Sequence, residues 1–435
     1  MYRQFKSPFS AQLELTTECN NHCIHCYNHW RKGYSVDNTL KESEIEAIIR
    51  NLKKSEVPSL LITGGEPMLY PELMFKAFEL SEKMGLKCSL NSNLTLVTEE
   101  IAKELKRFKS NVLTSILSFD SKLHDSITSS KGSFERLLEG IKILQRYKVP
   151  IGANMVVMQQ NMNQIYETGK FMHNLGVYTF RATKVHPAQG STGFEKLKLP
   201  SEKISFIFDE LLRLKNDFGL KVDSLTTYPI CLLKDLERYG QFLLKRSCSA
   251  GKTGCTIGAD GQIRPCGHSD HKYGNAISES ILDIWPRLKE WRDGSLLPNE
   301  CKECKYIIQC SGGCRMDCKF YGKIDSMDPY ATSKDFVLIP QKPKDVPLLD
   351  LNESLIVNPL LILRKEDCGV TLISNGKVLA TVSHDSAKLL TDLSKQQFTL
   401  NHVFSKYKVD FNNNTHLFFS SLYKRNVINL STILN

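Results

Sequence analysis

Three cysteines stand close together near the start of the chain, in Cys19-Asn20-Asn21-His22-Cys23-Ile24-His25-Cys26. This C-x3-C-x2-C spacing lets three thiolates wrap one short loop around an iron–sulfur cluster. A cubane has four irons, so three protein ligands leave one iron open to a chelating small molecule. A structural zinc loop is the competing reading, but zinc sites usually close with four ligands. The fourth would have to be His22 or His25. Downstream, Thr63-Gly64-Gly65-Glu66-Pro67 offers glycines for close backbone approach and a carboxylate to accept from an ammonium. A second field holds eight cysteines: Cys248, Cys255, Cys266, Cys301, Cys304, Cys310, Cys314 and Cys318. Eight thiolates are enough to ligate two cubanes fully, although two zinc ribbons could also use them. Asp260-Gly261 reads as a hairpin turn that sets Cys255 and Cys266 across a small ribbon. His268 and His271, beside Cys266, could serve as ligands, but exposed loop histidines are the plainer reading. Cys88, Cys231 and Cys368 stand alone and read as small buried hydrophobes.

The elements that must position these residues alternate in type. β-rich apolar runs at 11–16, 60–63, 88–90, 112–119, 151–158 and 177–183 predict strands. Apolar residues at helical spacing predict helices at 39–53, 71–84, 98–108, 133–147, 163–175 and 201–217. Six strand–helix repeats imply a parallel sheet with helices on its outer face. Active sites of such sheets lie at the carboxyl ends of the strands. The cysteine triplet follows the first predicted strand, and Gly64–Pro67 follows the second. Asn91-Ser92-Asn93 and Ser118-Phe119-Asp120 end the third and fourth. Strand-end capping and turn formation are the plainer roles for these polar groups and for Asn154.

The chain has 435 residues, 41% of them hydrophobic, enough for two or three domains with real cores. No apolar run is long enough to span a membrane, and the first residues lack the apolar core of a signal peptide. Fourteen cysteines would suit a disulfide framework only in a secreted context, and their clustering favours metal. The net charge of +10 is scattered along the chain and argues weakly for nucleic acid. The expectation is a cytoplasmic enzyme with no membrane and no nucleic-acid partner.

The triplet and the Gly-Gly-Glu segment together resemble the radical S-adenosylmethionine (SAM) superfamily. The second field resembles its SPASM extension, through Cys248-x12-Gly261-x4-Cys266 and Cys301-x2-Cys304-x5-Cys310-x3-Cys314. The resemblance implies an α/β fold: a partial (β/α)6 barrel over 1–235, then a Cys-rich iron–sulfur domain over 236–340. It implies that Cys19, Cys23 and Cys26 hold the SAM cluster, and that Gly64, Gly65 and Glu66 hold the SAM amine. His25 stands where the family usually has an aromatic residue beside the adenine. Asn93, Ser118 and Asn154 become candidate SAM contacts. Cys248, Cys255, Cys266 and Cys314 would hold a first auxiliary cluster, and Cys301, Cys304 and Cys310 a second, three [4Fe–4S] clusters in all. The family's last ligand comes well downstream, often near Asp-Pro-x-Cys. This chain reads Asp328-Pro329-Tyr330-Ala331, so Cys318 is the expected substitute.

A Pro/Lys-rich linker at 341–347 precedes a third part, 346–435. Predicted strands at 360–364, 370–374 and 377–382, with an Asn375-Gly376 hairpin, precede predicted helices at 385–393, 400–407 and 415–425. An apolar tail at 427–430 follows. This small winged-helix-like α+β pattern resembles the PqqD-like element that binds leader peptides by strand addition. The groove would lie between the 377–382 strand and the 415–425 helix. A DNA-binding winged helix is the alternative, but the last helix is rich in Leu and Phe, with Lys424 and Arg425 only at its end. Together the resemblances imply a radical SAM/SPASM oxidoreductase, a maturase of a ribosomally made precursor peptide with a leader. A 5′-deoxyadenosyl radical would abstract hydrogen from the core peptide, and an intramolecular C–C or thioether cross-link would follow. Flavodoxin or ferredoxin would be the reducing partner. A formylglycine-forming sulfatase maturase and an iron–sulfur DNA-binding sensor are the other readings.

Overall fold

The computed structural model describes residues 2–28, 38–332, 348–408 and 412–431. The linker expected at 341–347 lies outside them. Apolar periodicity sets the order of elements from the N-terminus. β1 (Ser10–Glu14), α1 (Glu42–Lys54), β2 (Ser59–Thr63), α2 (Pro71–Lys83), β3 (Lys87–Asn91), α3 (Glu99–Arg107) and β4 (Val112–Ser115) come first. Two helices follow, α4 (Ser121–Thr128) and α5 (Ser133–Arg146). Then come β5 (Ile151–Val157), α6 (Ile165–Asn174), β6 (Thr179–Lys184), α7 (Ile204–Phe218), β7 (Lys221–Asp223) and α8 (Leu236–Leu243). α1 shows the logic: Ile45, Ile48, Ile49 and Leu52 fall on one face and are fully buried. Each such side chain contributes about 1.5–3 kcal/mol of burial. Glu42 and Glu44 in its first turn and Lys53 and Lys54 in its last complement the helix dipole.

The sheet runs β7-β6-β5-β4-β3-β2-β1 with every pairing parallel, as the alternation predicts. It then continues. β8 (Gly254–Ile257) pairs in parallel with β1, matching Ala11 to Cys255, and β9 (Ile263–Arg264) turns back antiparallel. The cysteine ribbon thus extends the same sheet. β7 and α4 were not predicted, and β4 stops four residues before the predicted end. The reason is a local turn: Leu117 N–H donates to His124 Nδ1 (3.3 Å), and Asp120 N–H donates to Ser118 Oγ (2.7 Å). Asp120 then caps α4 by accepting from Leu123 N–H at 2.8 Å. Short helices α9 (Ile281–Ile284), α10 (Glu290–Asp293) and α11 (Ile307–Cys310) lead to α12 (Arg315–Tyr321). Among the described residues no helix is long and apolar enough to cross a membrane.

The chain divides into two compact units, Met1–Tyr2 with Ser10–Gln341, and Arg3–Phe9 with Lys342–Asn435. The second contains β10 (Leu355–Val357), β11 (Ile362–Glu366), β12 (Gly369–Ser374) and β13 (Lys377–Val382). Helices α13 (His384–Leu393), α14 (Leu400–Lys406) and α15 (Asn413–Lys424) follow, then β14 (Ile428–Leu430). β11-β12-β13 form an antiparallel sheet around the Asn375-Gly376 turn. The segment read as an apolar tail is a strand: β14 pairs antiparallel with β10. Leu372, Leu390, Leu400 and Phe419 centre this unit's core.

Residues 3–9, read from sequence with the barrel, belong to this second unit. Arg364, 1% exposed, explains why. Its Nη1 donates to Ser7 Oγ (3.0 Å) and Pro8 O (3.1 Å), and its Nη2 to Ser7 O (3.2 Å). Its Nε donates to Glu366 at 2.5 Å, and the guanidinium lies 3.9 Å from the Phe9 ring centroid. A buried cation needs these acceptors, because an unmatched one would be strongly destabilising. Of the solitary cysteines, Cys88 is buried as expected, whereas Cys368 is exposed in the β11–β12 turn.

Candidate active site and metal centre

The cysteine triplet sits in the loop after β1, and the loop is pinned along its length. Leu15 N–H donates to Thr63 O at 2.9 Å, tying the loop's start to β2. His22 N–H donates to Thr128 O (2.9 Å) and Ile24 N–H to Ile127 O (3.0 Å), tying its middle to the end of α4. Ser130 Oγ donates to Asn20 O at 3.2 Å, and Asn21 Nδ2 to Ser133 Oγ at 3.2 Å. Cys26 N–H turns back onto Cys23 O at 3.1 Å. Cys19, Cys23 and Cys26 are half-buried on this loop.

The glycine pair fixes the loop from the other side. Gly65 N–H donates to Thr16 O and Glu66 N–H to Glu18 O, each at 2.7 Å. A Cβ on Gly65 would stand 1.7 Å from Glu18 O, and one on Gly64, at φ +128°, 2.5 Å from Thr16 O. Only glycine permits that approach. Gly65→Ala is therefore expected to push the residues before Cys19 aside. Reconstituted protein should lose most of the iron held by the triplet and its SAM binding, with far-UV circular dichroism unchanged.

Glu66 was read as the acceptor of the SAM ammonium. The structure turns its carboxylate inward, 1% exposed, onto the protein's own donors. Met68 N–H (3.0 Å), Ser92 Oγ–H (2.8 Å) and Asn93 N–H (2.8 Å) all donate to it. Burial raises its pKa, and these three bonds oppose the rise. Glu66 thus ties the end of β2 to the end of β3. Asn93 braces the cysteine loop: its Nδ2 donates to Asn20 Oδ1 at 2.8 Å, and its Oδ1 accepts from Thr95 N–H at 3.0 Å. Ser118 is fully buried and bonded to Gln164 and Asp120. Asn154 on β5 accepts from Thr183 Oγ1–H at 2.7 Å. These four residues, read as SAM contacts, are here engaged with protein partners, because strand ends leave donors that need acceptors.

His25 differs. It lines a cavity of about 260 Å³ with Ile24, Cys26, Gln160, His186 and Phe194. Its Nδ1 is buried with no hydrogen-bond partner. Burial, then His124, pulls its pKa down to about 4. A thiol loop held open beside an unanswered polar atom fits an iron–sulfur cluster with a polar ligand on it. The soft thiolate donors suit iron–sulfur chemistry.

The second field gathers at β8–β9 and α12. Burial pushes the Cys255 thiol up to about 12, and burial with nearby Cys248 does the same to Cys266. Cys314, at the N-terminus of α12, is raised by burial, with Asp317 and Cys248 adding. Thiols so placed cannot ionise alone, and a cluster would supply the missing positive charge. Cys318, expected to close the second set, lies on α12 at 1% exposure. The charges acting on it most strongly are Arg315, Asp328, Asp317 and Lys184, none of them a cysteine. His268, expected to be an exposed loop residue, stacks on Tyr27 with centroids 4.0 Å apart. Burial pulls its pKa down to about 3, and His186 adds to this. His271 is exposed as expected.

Sequence reasoning missed one buried polar cluster. Lys184, the last residue of β6, donates to Asp317 Oδ2 at 2.5 Å and is fully buried. His186 Nδ1 lies 2.7 Å from Asp317 Oδ1, and its Nε2 2.5 Å from Thr226 Oγ1. Burial lowers the Lys184 pKa, but Asp317 and Cys314 outweigh it and hold the ammonium charged. Lys184 was legible only as a lysine ending a strand that points at the site. Its partner Asp317 is 133 residues away.

Residues 13–172 match the radical SAM superfamily, and residues 248–305 match SPASM, an iron–sulfur cluster-binding domain. An AdoMet-dependent heme synthase of Methanosarcina barkeri is 26% identical over 333 residues, covering 72% of this chain and 93% of that protein. The sporulation killing factor maturation protein SkfB of Bacillus subtilis is 26% identical over 306 residues, covering 69% of each. In fold the chain is similar to Streptococcus suis SuiB bound to S-adenosylmethionine. The TM-score is 0.62 at 20% identity, over 76% of this chain and 78% of that one. SuiB bound to its precursor peptide SuiA aligns with a TM-score of 0.61 at 19% identity, over 74% and 75%. The pinned thiol loop, the parallel sheet and these matches agree that the chain carries a radical SAM domain followed by a SPASM iron–sulfur domain.

Proposed function

We propose that this radical SAM enzyme cross-links a ribosomally made precursor peptide that it captures by its leader. Cys19, Cys23 and Cys26 would hold the SAM cluster, and the second cysteine field two further [4Fe–4S] clusters. When bound, cluster and SAM supply a carbon-centred radical that takes a hydrogen atom from the substrate. The chain's own part is to hold the thiol loop still through Gly65, Glu66 and Asn93. It also keeps Lys184 and Asp317 as a buried charged pair, with His186 of that cluster on the wall of the cavity beside Cys26.

The observation that carries the peptide reading is the edge of the second unit. Among the described residues β13 pairs on one side only, with β12. An unpaired strand edge accepts an extended peptide through its backbone, with side-chain pockets setting register. A second concave surface lies nearby. A cavity of about 660 Å³ lies between α13 and α15 and is lined by Lys388, Leu389, Tyr407 and Phe418 rather than by β13. Arg425 Nη1 donates to Leu379 O at 2.8 Å and covers one acceptor of the β13 edge.

The heme synthase likeness supports a second reading, in which a tetrapyrrole is the substrate. That relative is matched almost end to end, yet more than a quarter of this chain stays unmatched, enough to hold the whole second unit. A heme-forming enzyme has no evident use for it. The test is anaerobic incubation of the reduced, reconstituted protein with SAM and a short precursor encoded beside its gene. An iron coproporphyrin is offered in parallel. The expected product is a peptide lighter by two hydrogens, one lost from each atom joined. Turnover of the tetrapyrrole alone would overturn the reading.

A further inference from the structure

We propose that Cys231 is the fourth thiolate of the second auxiliary cluster, beside Cys301, Cys304 and Cys310. The assignment rests on the three-cluster reading above and replaces Cys318 as the closing ligand.

Cys231 sits in the tight turn Ile230–Leu232, between β7 and α8. The turn is docked on the cysteine field. Ile230 N–H donates to Cys310 Sγ at 3.4 Å, which places the neighbouring Cys231 beside a predicted ligand. Hydrogen bonds of this kind to cluster sulfurs are part of how a protein tunes a cluster. Cys231 is also among the charges that act most strongly on both Cys301 and Cys310, and Cys304 acts on Cys301. The four thiols therefore share one neighbourhood. On the far side, Thr332 Oγ1–H donates to Cys231 O at 2.5 Å. Thr332 lies just past Asp328-Pro329-Tyr330-Ala331, the stretch that lacks the expected downstream cysteine. The residue that carries this upstream thiol thus lies against the stretch where the downstream cysteine is missing.

Spacing separates a cluster from zinc. Zn–S bonds of about 2.3 Å hold tetrahedral sulfurs roughly 3.8 Å apart. Among the described residues, the one set of three candidate ligand atoms within 4.8 Å of one another is His186, Cys314 and Asp317. No three of Cys231, Cys301, Cys304 and Cys310 close to that distance. That separation does not suit one tetrahedral zinc. Binding takes Cys231 as its thiolate, and the proton leaves to solvent. Cys318 has no comparable setting, since its strongest neighbours are Arg315, Asp328, Asp317 and Lys184.

The test uses the full chain, reconstituted anaerobically with iron and sulfide, as wild type, Cys231→Ala, Cys318→Ala and the double variant Cys231→Ala/Thr332→Cys. Readouts are iron and sulfide per chain, the electron paramagnetic resonance spectrum of the reduced and oxidised protein, and circular dichroism for folding. Wild type and Cys318→Ala should hold about twelve irons. Cys231→Ala should lose about four irons or show a three-iron cluster signal, and Thr332→Cys should restore the wild-type spectrum. A twelve-iron wild type whose Cys231→Ala variant keeps its iron and spectrum would overturn the assignment alone. So would loss of a cluster in Cys318→Ala but not in Cys231→Ala. A wild type with about eight irons would overturn the three-cluster reading and the assignment together.

Discussion

Replacing Cys19, Cys23 and Cys26 together with alanine removes about four irons per chain and abolishes reductive cleavage of SAM. The effect is expected to be total because the open iron that chelates SAM exists only on the cluster these thiols hold. The second field is left with its own ligands, so about eight irons should remain and give an internal control for folding. The loop's pins to β2, α4 and α5 are backbone, amide and hydroxyl hydrogen bonds that the substitutions leave in place. Iron analysis and quantification of 5′-deoxyadenosine after dithionite reduction check the result. Full SAM cleavage by the triple variant would place the chemistry elsewhere.

Removing the second unit raises the apparent KM for the full precursor on the order of 10²-fold, the scale by which a second tethered contact raises effective concentration. Iron content and basal SAM cleavage should stay near wild type, since the thiol loop, Glu66 and β1–β9 all belong to the first unit. The deletion must take residues 3–9 as well as 342–435. Cutting only the C-terminal part would leave Phe5 and Phe9, a packed edge-to-face pair at 4.6 Å, without the unit they belong to. A leaderless core peptide should be a poor substrate for the intact enzyme and no worse for the truncated one. Equal processing of the precursor by both proteins, or tight salt-sensitive binding of duplex DNA by the full chain, would refute leader capture.

What could be read from sequence was local. The C-x3-C-x2-C triplet, the glycine pair and the Asn375-Gly376 turn each carry their meaning within a few residues. Strand and helix order followed from period alone, which is why the parallel sheet was legible and the three-residue β7 was not. What was not legible is long-range. Nothing near Glu66 says that Ser92 and Asn93, 26 and 27 residues on, will supply its donors. Cys231 looked solitary because its neighbours Cys301 and Cys310 lie far along the chain. Lys184 and Asp317 are ordinary surface residue types until the fold buries both. Cys318 is the candidate nearest in number for the missing ligand position, and the proposed Cys231 lies 70 residues before Cys301, out of reach of any local spacing rule.

Residues 3–9 complete a unit whose other members lie more than 330 positions further along the sequence. Ser7 and Pro8 wait for Arg364, 357 and 356 positions later. At translation rates of 5–20 residues per second, that interval is roughly 20–70 s. Through it residues 3–9 lack their contacts to Arg364, while the domain beginning at Ser10 can already assemble behind them. The segment therefore stays open to chaperones until Arg364 has been made. The second unit can close only after both of its separated stretches of sequence exist.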